Sequence, residues 1–105
     1  MRSEAQFLVE IAFSGQVIHW RGPSPFFFVP IPDGQVGEVR YAAQLASYGW
    51  GCVPVEARLA GVDFTTSLFP RDGGYLLPLK DAVRKKAKIA LADTVQVEMR
   101  IHDRK

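Results

Sequence analysis

A seven-residue pattern occurs twice in this chain. Val53-Pro54-Val55-Glu56-Ala57-Arg58-Leu59 and Val95-Gln96-Val97-Glu98-Met99-Arg100-Ile101 both read V-x-V-E-x-R-aliphatic. Shorter matches accompany it in the same order: Phe28-Val29-Pro30-Ile31 with Leu76-Leu77-Pro78-Leu79, and Val39-Arg40 with Val83-Arg84. V-x-V alternation alone is common in strands, but its recurrence among other ordered matches points to a duplicated unit. Each unit reads as two strands ending at a proline, a helix and one more strand. Two such units predict a mainly β chain, a double-split β-barrel of about six strands with two short helices. A pseudo-two-fold axis is expected to relate residues 5–60 to residues 62–102.

The elements follow from local pattern. Residues 5–19 alternate, with Phe7, Val9, Ile11 and Phe13 on one side, so they read as one long half-buried strand. Arg21-Gly22-Pro23-Ser24-Pro25 is turn chemistry, and Phe26 to Ile31 is a second strand closed by Pro30. Asp33 is placed to cap a helix running to about Ser47, with Val36, Val39, Ala43 and Ala46 inward and Gly49 past its end. Trp50-Gly51 leads into a strand from Cys52 to Ala60, where Pro54 argues for an edge or a bulge. Gly61 turns the chain into Val62–Phe69. Arg71-Asp72-Gly73-Gly74 then reads as a hairpin turn, with Gly73 and Gly74 expected at φ > 0. Pro78 is expected to end the following strand's ladder. A short helix covers roughly Asp81 to Lys88, and Thr94 to His102 is the last strand, with Val95, Val97, Met99 and Ile101 inward.

At 105 residues, 48% hydrophobic and 23% charged, the chain has the balance of a single globular domain spanning 1–105. Net charge is +2, too small to imply a polyanion partner. The positive charge gathers late: Lys80, Arg84, Lys85, Lys86 and Lys88 lie within one short stretch. Cys52 is the only cysteine, so neither an intrachain disulfide nor a thiolate metal cluster is expected. The first residues lack the apolar core of a signal peptide, and Phe26 to Ile31 is too short to span a bilayer. A cytoplasmic protein without membrane contact is expected.

Several pieces together resemble the domain-of-unknown-function family 1905. They are Phe13-Ser14-Gly15, Trp50-Gly51-Cys52-Val53-Pro54-Val55, Thr66-Ser67-Leu68-Phe69-Pro70, Gly74-Tyr75-Leu76-Leu77-Pro78-Leu79 and Val83-Arg84-Lys85. The resemblance covers about residues 7 to 101 and implies the same double-split barrel; it brings no established reaction or ligand. Members are sometimes fused to a helical domain like that of bacteriocin-protection proteins, which is expected to be absent here. The second half is also similar to the swapped-hairpin units of transition-state regulators and antitoxins, which bind DNA as dimers. Leu77-Pro78-Leu79-Lys80, Val83-Arg84-Lys85 and Ala92-Asp93-Thr94-Val95 carry that pattern. Ala92 departs from it, standing where a glycine is usual, so a left-handed turn there is strained or rebuilt.

Chemistry is sparse. His19 and His102 stand without a cysteine or carboxylate at ligand spacing, which favours surface or structural roles over metal or catalysis. Cys52 reads as a buried small apolar side chain rather than a nucleophile. Ser67 and Ser14 lack a nucleophile-elbow context, and Asp72-Gly73-Gly74 lacks the helix a phosphate loop requires. Glu56 with Arg58, and Glu98 with Arg100, read as outward cross-strand charge pairs. Trp20, Trp50, Phe69 and Tyr75 are read as core before stacking platform. The basic segment is the better candidate. Lys80, Arg84 and Lys88 are spaced by four and share one predicted helix face, opposite Val83, Ala87 and Ala90, with Lys85 and Lys86 beside it. A solvated face is the default reading; an anion contact is the functional one.

These residues favour a non-enzymatic binding or interaction module with no cofactor. One alternative is a DNA-binding regulator; another is a small-ligand pocket or cryptic enzyme built from Arg71, Tyr75, Lys80 and Arg84, with Lys88 as a further anion contact. Nucleic-acid binding is expected to be weak at most, because one basic face offers few phosphate contacts. A monomer or a weak homodimer is expected, since one chain already holds both units.

Overall fold

A computed structural model describes residues 7–20, 26–46 and 52–102. Alternating apolar residues fold there into β1 (Phe7–Gln16), β2 (Ile18–Trp20), β3 (Phe26–Pro30), β4 (Val53–Leu59), β5 (Val62–Arg71), β6 (Gly74–Leu79) and β7 (Thr94–His102). Two helices, α1 (Asp33–Ala46) and α2 (Asp81–Ala87), follow β3 and β6. The expected turns at 21–25 and 50–51, and the expected helix end at Ser47 and Gly49, lie outside the described residues.

All seven strands join one antiparallel sheet in the order β1-β7-β4-β5-β6-β3-β2. Its outermost strands, β1 and β2, are successive segments of chain with only Val17 between them. The sheet is therefore curled, its two outermost strands joined through that residue. The inward residues of β4 (Val53, Val55, Ala57, Leu59) and of β7 (Val95, Val97, Met99, Ile101) are all buried, as the period of two requires. Each large one contributes about 1.5–3 kcal/mol of burial. Val36, Val39, Ala42 and Ala43 bury the inner stripe of α1 in the same core, and the Gln35 side-chain amide ties the helix to the Ala12 carbonyl at 3.0 Å.

The pairing register carries the repeat. In the β4·β7 ladder Glu56 faces Arg100 and Arg58 faces Glu98, so the two rungs exchange when each residue is replaced by its counterpart. Ala57 faces Met99, its own counterpart. The β3·β6 ladder behaves alike: Phe28 faces Pro78, Pro30 faces Leu76, and Val29 faces its counterpart Leu77. Each unit's last strand pairs with the first strand of the other unit, β4 with β5 and β7 with β1.

Three expectations need correction. The long strand over residues 5–19 is divided, giving seven described strands rather than six. In the second unit β5 passes directly from Leu68, paired with Val53, to Phe69, paired with Leu76. The first unit inserts Gln16 and Val17 between the equivalent rungs at Gly15 and Ile18. Val17 turns aside to bond its N–H to the Asp93 carbonyl at 2.8 Å, and its own carbonyl accepts the Ala92 N–H at 2.9 Å. Ala92 holds φ 72, the strained left-handed conformation expected of it.

Secondly, Pro78 does not end its ladder; it pairs within it, as Pro30 does. Each proline stands where its strand has a partner on one side only. β5 pairs β6 no further than Leu76, and β2 pairs β3 no further than Phe28, so no second ladder asks the proline for a donor. Pro54 obeys the same rule, because β7 joins β4 only from Glu56 onward.

Thirdly, the left-handed residues of the β5–β6 turn are Asp72 (φ 51) and Gly73 (φ 80), not Gly73 and Gly74. Arg71 pairs with Gly74, which makes the loop a two-residue hairpin with both central residues at φ > 0. The Ala60-Gly61 turn has the same geometry, φ 51 and φ 80. Gly73→Ala should therefore cost about 1–2 kcal/mol, since only glycine adopts this conformation freely. Gly74→Ala should be nearly neutral: a Cβ there meets the Arg71 carbonyl and Val36 Cγ2 at an ordinary 3.8 Å. Equal melting temperatures for the two variants would contradict the turn assignment.

Candidate functional site

The outward faces of β1, β7, β4 and β5 form a grid of charges. Arg100 Nε lies 3.0 Å from Glu10 Oε2, and its Nη1 lies 3.9 Å from Glu56 Oε1. Arg58 holds Asp63 through two hydrogen bonds, 2.6 and 3.1 Å, and faces Glu98 across the ladder. The triplets Glu10–Arg100–Glu56 and Asp63–Arg58–Glu98 occupy corresponding rungs of the two halves, so the sequence repeat extends to surface charge. They line a shallow cleft of about 660 Å³. The hydrogen bond from Arg58 holds the Asp63 carboxyl below its ordinary range, and Asp63 in turn raises Arg58. That contribution is present above the ordinary carboxylate pKa and is lost as pH falls through the lowered one. All these side chains are well exposed, so each pair adds little stability.

The basic and aromatic residues singled out by sequence occupy separate places. Arg71 and Tyr75 share a cleft of about 390 Å³ between α1 and the β5–β6 turn, with Asp33 and Arg40 opposite. Arg71 Nε lies 3.5 Å from Asp72 Oδ2, and the Tyr75 carbonyl accepts the Ile31 N–H at 3.0 Å while its side chain packs on the core. Arg40 donates to the Gly73 carbonyl and so fastens α1 to the turn. In the sequence Arg40 stands out only as the counterpart of Arg84, because a turn carbonyl as acceptor leaves no sequence signal.

Arg84 behaves differently from a solvated cation. Its guanidinium lies 3.8 Å over the Phe27 ring and pairs with Asp81, leaving the side chain 20% exposed. A cation over an aromatic face gains about 0.5–2 kcal/mol, more as water is excluded. Lys88 stands past the end of α2 at φ 58, its N–H satisfied by the last-turn carbonyls. The helix stops at Ala87, so the expected continuous face of Lys80, Arg84 and Lys88 does not form, and Ala90 lies beyond it. Of that face, Lys80, Lys85, Lys86 and Lys88 remain exposed.

Lys80 lines a third cleft, an open one of about 760 Å³, with Cys52, Pro54, Ser67, Phe69 and His102. The strand period explains the company: Cys52, Pro54 and Glu56 point outward from β4, as Thr65, Ser67 and Phe69 do from β5. Cys52 is half-buried at the cleft wall rather than in the core as expected. His102 Nε2 lies 2.8 Å from Glu56 Oε2. His19 sits elsewhere, 4.9 Å from the Phe27 ring. Trp50 and the Trp20 side chain lie outside the described residues. Among the described residues no group of three or more His, Cys, Asp or Glu is arranged to hold a metal ion. Nor is any helix among them long and apolar enough to cross a membrane.

Compared with known families, residues 13–99 match the domain of unknown function DUF1905. No curated protein matches the chain.

Proposed function

The chain belongs to the DUF1905 family, and on that footing we propose a duplicated double-split β-barrel that serves in the cytoplasm as a non-enzymatic binding module. The barrel reading rests on the register: each long first strand serves two ladders, β5 with β4 and β6, and β1–β2 with β7 and β3. The free thiol of Cys52 suits a reducing compartment. The observation that carries the binding reading is the open cleft of about 760 Å³ beside β4 and β5, where Phe69, Lys80 and His102 meet from separate elements.

A DNA-binding regulator is the competing reading, and the fate of Arg84 weighs against it. With that guanidinium committed to Phe27 and Asp81, only lysines of α2 and its flanks face solvent. Few phosphate contacts give weak, salt-sensitive binding. A labelled duplex titrated at about 150 mM salt, where the screening length is about 8 Å, should show no saturable binding. Tight, sequence-dependent binding there would replace the module by the regulator.

A further inference from the structure

We propose that the cleft formed by β4, β5 and the start of α2 binds a small organic acid with a flat apolar body, an aromatic carboxylate in chemical class. This deepens the binding-module reading and rests on it.

The duplication supplies an internal control. Positions that the fold itself needs are kept in both units: the inward apolar residues and the Glu56/Arg58 and Glu98/Arg100 pairs. The register places every residue of this cleft opposite a counterpart in the other unit. Cys52 corresponds to Thr94, Phe69 to Ile18, Lys80 to Pro32 and His102 to Ala60. One copy has thus gathered a thiol, an aromatic ring, an ammonium and an imidazole, while the same places in the other copy carry none of these. Both sets lie outside the buried core, and of the four counterparts only Ala60 answers to a turn, the left-handed β4–β5 hairpin.

The chemistry of the wall selects the ligand. Phe69, 42% exposed, contributes an aromatic side chain to the cleft wall. Across the strands from it, Pro54 and Cys52 extend an apolar floor. Glu56 is the cleft's carboxylate, and it is already shared between His102 at 2.8 Å and Arg100 at 3.9 Å. Lys80 has no ion-pair partner among the described residues, and its side chain is not spent capping α2. Lys80 is therefore the ammonium of this cleft left without an ion pair among the described residues. One ammonium fits one carboxylate better than it fits a polyphosphate or a nucleic acid. A volume of about 760 Å³ accommodates a two-ring compound.

The test is an NMR titration of the 15N-labelled protein with 2-naphthoate and, separately, with its neutral isostere 2-naphthamide. Saturable shifts from naphthoate at Cys52, Phe69, Lys80 and His102, with naphthamide about tenfold weaker, are expected. Lys80→Gln should lower naphthoate affinity about tenfold and leave naphthamide unchanged; its exposed position keeps the fold intact, which the spectrum itself verifies. Shifts centred on Arg40 and Arg71 would overturn the choice of cleft and leave the binding-module reading standing. Absence of saturable shifts, or an unchanged affinity in Lys80→Gln, would overturn the inference outright. The duplex titration judges the module reading separately.

Discussion

Gly15→Val should lower the thermal midpoint by roughly 10–20 °C, the largest shift expected of any single surface-strand substitution in this chain. A Cβ at Gly15 would lie 2.6 Å from Val29 Cγ1 and 3.3 Å from the Pro30 carbonyl oxygen. The first distance is far inside van der Waals contact. Val29 is fully buried on the β3·β6 ladder opposite Leu77, so it has nowhere to move. The bare backbone of Gly15 is what lets β1 cross β3 this closely. Forcing a branched side chain in costs about 2–4 kcal/mol, out of a total near 5–15 kcal/mol. The partner of the clash can be tested too. Val29→Ala removes the colliding methyl, so it should cost less in a Gly15→Ala background than in the parent, where it only opens a cavity. Additive losses in that cycle, or an unchanged midpoint in Gly15→Val, would mean the strands are farther apart.

Met99→Ala is the second large effect, about 2–4 kcal/mol by urea denaturation. Met99 is wholly buried and stands directly opposite Ala57 in the β4·β7 ladder. The two are counterparts in the repeat, so this is the point where the symmetry meets itself. Two methionines there would collide and two alanines would leave a void; one of each fills the space. Ala57→Met alone should cost about 1–3 kcal/mol by overpacking. The swapped pair, Ala57→Met with Met99→Ala, keeps the volume and should recover most of either loss. If the two losses simply add, the rung does not lie at the centre of the repeat.

Much of this fold can be read locally. The V-x-V-E-x-R pattern assigns inward and outward faces to β4 and β7, and the structure follows it residue for residue. Val36, Val39 and Ala43 announce the buried side of α1. What escaped depends on distant partners. Val17 continues the alternation perfectly, and it leaves the strand only because Ala92 and Asp93 offer it backbone partners. The left-handed pair in the β5–β6 turn is set by which residues close the ladder, Arg71 and Gly74, rather than by the count of glycines. Spacing put Arg84 on a solvated helix face, but Phe27, brought in by β3, turned it over an aromatic ring. The candidate cleft was invisible for the same reason. Cys52, Phe69, Lys80 and His102 lie far apart in the chain and meet only through register.

The position of β7 sets the order in which the chain can assemble. It comes after the other six described strands in the chain, yet it lies between β1 and β4, the first described strand and the last of the opening unit. The β4–β5 and β5–β6 hairpins close over two-residue turns and can form early, because their loops are short. Until β7 arrives, β1 and β4 each present a row of unpaired backbone groups, the kind of edge that recruits other chains. Insertion of β7 seals both at once, at the cost of the longest loop closure in the molecule. Folding speed and aggregation during synthesis therefore hinge on one late step, and substitutions within Thr94–His102 should slow folding more than equally destabilising ones in the hairpins.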